Sequence, residues 1–372
     1  KYNFKSVGLV NAILRKIEKS DYEEINTITN SITRISLKYS MPEWIVKKFC
    51  DEYGNEEAAN ICQNLNLRPN ISVRLNRLKD KIELGEKGIL EDFRVITGTK
   101  NITKTKEYIE GNITIQDEAA GLSSFILAPK EGEMVLDACS APGGKTTYLA
   151  ELMCNQGNIV AWDIYEERLK QVKQNAKRLG INIIQTEVHD ATKLKEDYVE
   201  RFDKILLDVP CLGLGVIRRK PDIKWNRQEN NIKEISDIQF NILKTCSKYL
   251  KKNGTLVYST CSMLKEENDA IIEKFIKDEN FEMHHMSFLV WNSEMKEPVK
   301  VDKYASSLDI LPTVLNLFGI DYDSRLLMGT DIMSDSLPLV IYSNRSFITD
   351  KCRYNSLTKQ MIPHGEKSCT DE

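Results

Sequence analysis

The chain has 372 residues, of which 41% are hydrophobic and 29% charged, with 18 glycines and 10 prolines. This is the composition of a globular protein of two or three domains, and it excludes disordered, collagen-like and repeat material. With 52 Lys and Arg against 55 Asp and Glu the net charge is −3, so any nucleic-acid contact has to come from a local basic surface.

Nine cysteines without a Cys-x-x-Cys pair read as reduced thiols, neither a disulfide framework nor a zinc site. No apolar run approaches the roughly 20 residues of a membrane span. The opening Lys1-Tyr2-Asn3-Phe4 is not a signal peptide, and a cytoplasmic location is expected. Taking the elements in order, residues 7–14 read as the apolar face of a helix whose packing partners are missing, within a remnant segment 1–35. Residues 38–76 then combine helical periodicity (Trp44, Ile45, Phe49, Ala58, Ile61, Cys62, Leu65) with a strand-like run at 70–76, a small α+β segment over 36–111. From about residue 112 short β-branched runs alternate with amphipathic helices. Strands are predicted at 134–139, 158–163, 183–188, 202–208 and 254–261. Helices are predicted from Lys145, from Leu169 to the stop at Gly180, across 232–250, and over 266–277. Five such units predict a doubly wound α/β fold over 112–286, with a parallel sheet covered on both faces.

The first predicted strand runs into Cys139-Ser140-Ala141-Pro142-Gly143-Gly144-Lys145, where a glycine pair lets the backbone approach a ligand. A phosphate-cradling loop would need Gly at Cys139, and the dinucleotide fingerprint would need Gly-x-Gly; both are absent. Asp163 nonetheless stands 20 residues past Gly143, where a doubly wound fold places a ribose-hydroxyl acceptor. Asp190, just past the third strand, is placed for an adenine amino group. Either aspartate alone reads as a turn or cap residue; together with the glycine loop they point to a nucleoside without a pyrophosphate.

Asp208-Val209-Pro210-Cys211 ends the fourth strand and Ser259-Thr260-Cys261 the fifth, so two thiols and an acid share the edge that carries the glycine loop. One cysteine at a strand end is ordinarily structural. Two beside an acid suit a specific reaction. Carbon 5 of cytosine becomes nucleophilic once a thiolate adds at carbon 6, Asp208 can stabilise charge at N3, and the second thiol can assist release.

These runs closely resemble motifs of the RNA cytosine-5 methyltransferases, and Gly215 to Trp225 resembles the Sun/Fmu/RsmB branch acting on 16S rRNA, over roughly residues 5–283. The resemblance implies a Rossmann-like S-adenosylmethionine-dependent methyltransferase acting on 16S rRNA as a monomer, with no membrane contact. Its cofactor site comprises Cys139, Ser140, Ala141, Pro142, Gly143, Gly144, Lys145, Asp163, Arg168, Asp190 and Asp208. Cys261 is implied as nucleophile and Cys211 as the cysteine that aids release. Gln116-Asp117 and the 7–11 helix also fit. Leu212 departs from the family, which commonly has Ser there. The family's N-terminal RNA-binding domain resembles NusB, and only its last helix is expected here. Arg218, Arg219, Lys220, Lys224 and Trp225 form the most basic run, read as an RNA-binding face or as a solvated loop. The alternative to an enzyme is an RNA-binding module that has lost turnover.

In place of the family's closing hairpin, residues 288–292, 305–313 and 343–350 resemble the carboxyl part of lipoteichoic-acid-synthase-type, sulfatase-like enzymes. The expected junction is at 284–288, and the 287–372 tail is expected to be an inactive fragment of a phosphoglycerol transferase. A truncated front and a foreign tail imply a chimeric reading frame, or a true fusion. Loss of the hairpin implies an exposed sheet edge and reduced stability.

Overall fold

A computed structural model describes residues 5–15, 25–97 and 101–278 together with four short strands between 339 and 363. They fall in two compact units, 1–282 and 283–372. In the first, helix α1 (Lys5–Leu14) lays Leu9, Val10 and Ile13 open to solvent. Helix α2 (Ser31–Tyr39) starts where the Asn30 side chain accepts from the N–H groups of Ile32 and Thr33, two of the donors a helix start leaves unpaired. Helix α3 (Glu43–Leu65) follows and bends at Gly54, whose φ of 80° lies outside the helical region. Ile45, Val46, Phe49, Ala58, Cys62 and Leu65 of α3 join Ile35 and Met41 in an apolar cluster. The same cluster takes in Leu212, Leu214, Ile217, Ile232 and Leu264 from much later in the chain.

A small antiparallel sheet comes next, built from β1 (Ile71–Leu75), β2 (Glu86–Lys87), β3 (Phe93–Ile96) and β4 (Ile113–Ile115) in the order β2-β3-β1-β4. A single helical turn, α4 (Lys106–Ile109), precedes β4. The small sheet thus takes in Ile113–Ile115, just past the boundary expected at 111. Helix α5 (Glu118–Leu127), capped by Asp117, leads into the larger sheet.

That sheet is parallel and five-stranded: β5 (Met134–Asp137), β6 (Asn158–Asp163), β7 (Ile184–Val188), β8 (Phe202–Asp208) and β9 (Leu250–Ser259), in the order β7-β6-β5-β8-β9. Inner strands are covered on both faces, which is why 159–162 and 205–207 are unbroken apolar runs. Helices α6 (Gly144–Leu152), α7 (Glu166–Leu179), α8 (Ile223–Asn226), α9 (Asn231–Cys246) and α10 (Asp269–Asp278) complete it. Helix α7 shows the local logic. Glu166 and Glu167 open it, Lys177 and Arg178 close it in accord with the helix dipole, Gly180 caps it at φ 78°, and Leu169, Val172, Ala176 and Leu179 are its buried stripe. The expected doubly wound α/β fold is the observed one. The order in which strands are added reverses beside β5, so a crevice forms at the carboxyl ends of β5 and β8.

Around β9 the boundaries differ from expectation. Helix α9 stops at Cys246, and a 3-10 turn at Ser247–Tyr249 runs straight into the strand at Leu250. Pairing with β8 jumps from Phe202↔Leu250 to Lys204↔Thr255, and the extra residues are taken up around Asn253 at φ 66°. The strand also ends at Ser259, which leaves Cys261 on the following loop. In the second unit, β10 (Leu339–Ile341), β11 (Phe347–Thr349), β12 (Cys352–Asn355) and β13 (Gln360–Pro363) form an antiparallel sheet in sequence order. Residues 288–292 and 305–313, which carry the resemblance to the sulfatase-like enzymes, lie outside the described residues. No helix among the described residues is long and apolar enough to cross a membrane.

Candidate active site

The loop from β5 to α6 is held down by its own polar groups and by α7. Ser140 donates both its N–H and its hydroxyl to the Trp162 carbonyl, at 2.8 and 2.9 Å. Arg168 donates to the Ala141 carbonyl and Asn175 to that of Pro142, both at 3.0 Å. Gly143 has φ 100°, and a Cβ there would come within 3.0 Å of the Val172 backbone, so the turn requires glycine. Next to it, a Cβ at Gly144 would meet nothing closer than 3.8 Å. The first turn of α6 therefore begins beside open space, with its N–H groups at the positive end of the helix dipole. Asp163, buried at the end of β6, accepts from the Tyr165 N–H at 2.9 Å and pairs with Arg168 at 3.0 Å.

Two loops carry the thiols. Cys211 follows β8 and Cys261 follows β9, and their sulfurs lie 2.8 Å apart, with neither in a disulfide. The Cys261 N–H also donates to the Cys211 sulfur at 3.3 Å. The two thiols are unequal in acidity. The hydrogen bond from Cys211 lowers the Cys261 pKa below the ordinary thiol value, assisted by the Lys145 ammonium and opposed by burial and by Asp208. The same bond, with burial, pushes Cys211 up. Between thiols and glycine loop, Lys145 pairs with Asp208 at 2.5 Å, and Ser259 donates to the other Asp208 oxygen at 3.1 Å. One crevice thus contains two adjacent thiols, a carboxylate and an ammonium group.

Several expected residues also have structural partners of their own. Cys139 turns its thiol into the core, where burial raises its pKa, so it has only backbone to offer the loop. Asp190 is exposed on the rim of β7 and accepts from the Thr192 N–H and hydroxyl, at 3.0 and 2.7 Å, which holds its carboxylate in a local turn. Lys224 departs from the expected basic face. It is 6% exposed, and its ammonium donates to the Ser40 carbonyl and to Asn66, tying α8 to the helices before β1. Arg219 pairs with Asp117 at 2.6 Å, while Arg218, Lys220 and Trp225 face solvent. Leu212 is buried in the α2–α3 cluster, so the apolar side chain beside Cys211 packs instead of lining the crevice.

The family profile described as 16S rRNA methyltransferase RsmB/F matches residues 124–316, and that of the RsmF/B-like ferredoxin-like domain matches 41–84. The chain is 38% identical over 329 residues to the probable ribosomal RNA small subunit methyltransferase B of Bacillus subtilis, an alignment covering 84% of this chain and 72% of that protein. The chain belongs to the 16S rRNA methyltransferase RsmB/F family. The ribosomal RNA small subunit methyltransferase B of Shewanella oneidensis is 37% identical over 73% of this chain and 64% of its own length. The curated relatives are thus spanned only in part. A crystal structure of a methyltransferase homolog protein from Pyrococcus horikoshii superimposes with a TM-score of 0.59 at 32% identity, over 68% of this chain and 83% of that one. The RsmB/F match runs to residue 316, beyond the junction expected at 284–288.

S-adenosylmethionine is the cofactor of this family, and the crevice fits it. The open N-terminus of α6 suits a carboxylate, the buried acid at the end of β6 suits ribose hydroxyls, and Oδ1 of Asp137 beneath the loop is buried with no partner among the described residues. Burial pushes the Asp137 carboxyl up to about 7, against the hydrogen bond that Thr146 donates to its Oδ2.

A further group escaped the sequence reading. Arg74 of β1 is completely buried and docks on α6, donating to both Glu151 oxygens at 3.0 and 2.8 Å, to Thr147 at 3.0 Å, to the Gly144 carbonyl at 2.9 Å and to Gln116. Asn76 donates to the Gly111 and Leu179 carbonyls at 2.8 and 2.9 Å, which fixes the end of α7. The available signal was a lone charge in the apolar run Ile71-Ser72-Val73-Arg74-Leu75, with a second, Glu151, in Leu149-Ala150-Glu151-Leu152.

Proposed function

We propose that the protein transfers a methyl group from S-adenosylmethionine to carbon 5 of a cytosine in 16S rRNA through a covalent bond between Cys261 and carbon 6. The observation that carries this reading is the thiol pair, 2.8 Å apart, on the sheet edge that also bears the glycine loop. Backbone from Cys139 to Lys145, with Asp163, Arg168 and the rim residue Asp190, holds the cofactor. When bound, it supplies an electrophilic sulfonium methyl group.

Cys261, the more acidic thiol, adds to carbon 6 as the thiolate. Electron density moves toward N3 and carbon 5. As charge develops at N3, a proton from solvent passes to it through Asp208, whose carboxylate is held by Lys145 and Ser259, and it returns the same way when the ring is released. Once the Cys261 sulfur lies in a carbon–sulfur bond it accepts no longer from Cys211. Once carbon 5 has taken the methyl group, the second thiol loses its proton to solvent, its thiolate takes the proton from carbon 5, and the carbon 6 to sulfur bond breaks with its electron pair returning to Cys261. Arg218, Lys220 and Trp225 face solvent and form the phosphate and stacking surface for RNA. The target base has to leave its stack to reach Cys261, so a loop is a better substrate than a closed duplex.

Labelled methyl donor and 16S rRNA, followed by nucleoside mass mapping, test the reading. 5-Methylcytidine is expected from the wild type and none from Cys261→Ala. RNA binding without transfer would favour the module that has lost turnover, and a methyl group on another atom would refute the cysteine mechanism.

A further inference from the structure

One buried carboxylate outside the crevice touches both thiol-bearing loops. Glu267, in the 3-10 turn Lys265–Glu267, is completely buried. Its Oε1 accepts from the Leu212 N–H at 2.8 Å and from the Gln239 amide at 3.1 Å, and its Oε2 accepts from the Ser262 hydroxyl. Leu212 follows Cys211, and Ser262 follows Cys261. The Gln239 amide also donates to the Pro210 carbonyl at 2.9 Å, so Cys211 is gripped on either side. Tyr258 at the end of β9 donates to the Glu267 carbonyl at 2.8 Å. Ser262 is itself oriented, since its oxygen accepts from the Leu264 N–H at 3.4 Å and its proton is left for Glu267. A third contact joins the loops, from the Gly215 N–H to the Cys261 carbonyl at 2.9 Å; a Cβ on Gly215 would come within 2.9 Å of that oxygen.

We propose that Glu267 is the positioning residue of the cysteine pair: it fixes the loop after β8 against the loop after β9 and directs the shared proton onto Cys211. The inference rests on the reading of Cys261 as nucleophile. Charges around the pair are unequal in the required sense. The hydrogen bond from Cys211 and burial act first on the pair; added to them, Glu267 disfavours a thiolate on Cys211, whereas Cys261 has the Lys145 ammonium in its favour and the Asp208 carboxylate against it. A buried carboxylate whose partners are neutral donors keeps its field unscreened by solvent, which is how a group that never touches substrate can decide which of two adjacent sulfurs is the nucleophile.

Glu267→Gln keeps the shape and an acceptor for Leu212 but removes the charge. The readout is iodoacetamide labelling of each cysteine across pH by peptide mass spectrometry, without cofactor or RNA, using exposed Cys154 as internal reference. In the wild type Cys261 should react at lower pH than Cys154 and ahead of Cys211. In Glu267→Gln that preference should fall about tenfold, the effect of one pKa unit. Ser262→Ala, which breaks one tie and keeps the charge, should retain the preference while lowering kcat with KM unchanged. A folded Glu267→Gln with wild-type labelling overturns the inference, and so does an unchanged kcat in Ser262→Ala if the first variant does not fold. Labelling needs no substrate, so a wild type that fails to methylate RNA would sink the functional reading separately.

Discussion

The segment before the parallel sheet docks on it in two ways. Beside the glycine loop the dock is polar: Arg74 and Asn76 enter α6 and the end of α7 with every bond at 2.8–3.0 Å apart from the shorter one to Gln116. Beneath the cysteine loops it is apolar at its centre, a face of α2 and α3 packed on Leu212, Leu214, Ile217 and Leu264, with polar ties around the rim from Tyr53 to the Met263 carbonyl, from Lys48 to Glu266 and from Lys224 to Ser40 and Asn66. Polar contacts are directional and fix a loop to a few tenths of an ångström, which suits the recognition of a cofactor. Apolar contacts tolerate small shifts, and on that side the directional work falls to the rim ties and, at the two thiol-bearing loops, to Glu267.

The two docks should fail differently. The largest effect is expected from Arg74→Met, which strands the Glu151 carboxylate in a dry site and should cost about 3–5 kcal/mol in chemical denaturation. The double variant Arg74→Met/Glu151→Leu should recover most of that loss, because the isolated charge, more than the lost attraction, is the penalty. Equal losses in single and double variants would show that the dock is held by something other than this pair.

Asp137 sharpens the contrast, since it is a buried carboxyl without Arg74's kind of partner. Its folded pKa of about 7 exceeds the ordinary aspartate value of 3.8, so the folded state holds this proton more tightly than the unfolded chain does. Stability should therefore be greatest below pH 4, fall as pH rises toward 7, and level off above, by on the order of 4 kcal/mol for this group alone. In cofactor-free melts, Asp137→Asn should remove that slope; a slope that persists would assign it to other groups. The smallest effect is expected on the apolar side. Ile45→Val deletes one buried methylene and should cost about 0.5–1.5 kcal/mol while leaving cofactor affinity unchanged, as followed by melting and by titration calorimetry.

What the sequence revealed follows the same division. The glycine loop, Asp163 and both cysteines were legible because each sits at the end of a periodic apolar strand, where local pattern and topology coincide. The start of β9 was hidden, because Lys251-Lys252-Asn253 looks like a turn, and the strand runs through it by shifting register against β8. Lys224 was read as a surface cation, since nothing local reveals that Ser40 and Asn66, both far away in sequence, are its acceptors. Arg74 and Glu267 were missed for the same reason. Apart from Ser262, which stands next to Cys261 and close to Glu267 in sequence, their partners lie 28 to 77 residues away, and a charge in an apolar run declares burial without naming what satisfies it.

The most direct test of the chemistry is to trap the carbon 6 bond. Cys211→Ala incubated with S-adenosylmethionine and 16S rRNA should release product slowly and accumulate a denaturation-resistant protein–RNA adduct, mapped by mass spectrometry to Cys261. Absence of an adduct, or an adduct that builds up through Cys211 in Cys261→Ala instead, would contradict the assignment of Cys261 as the nucleophile.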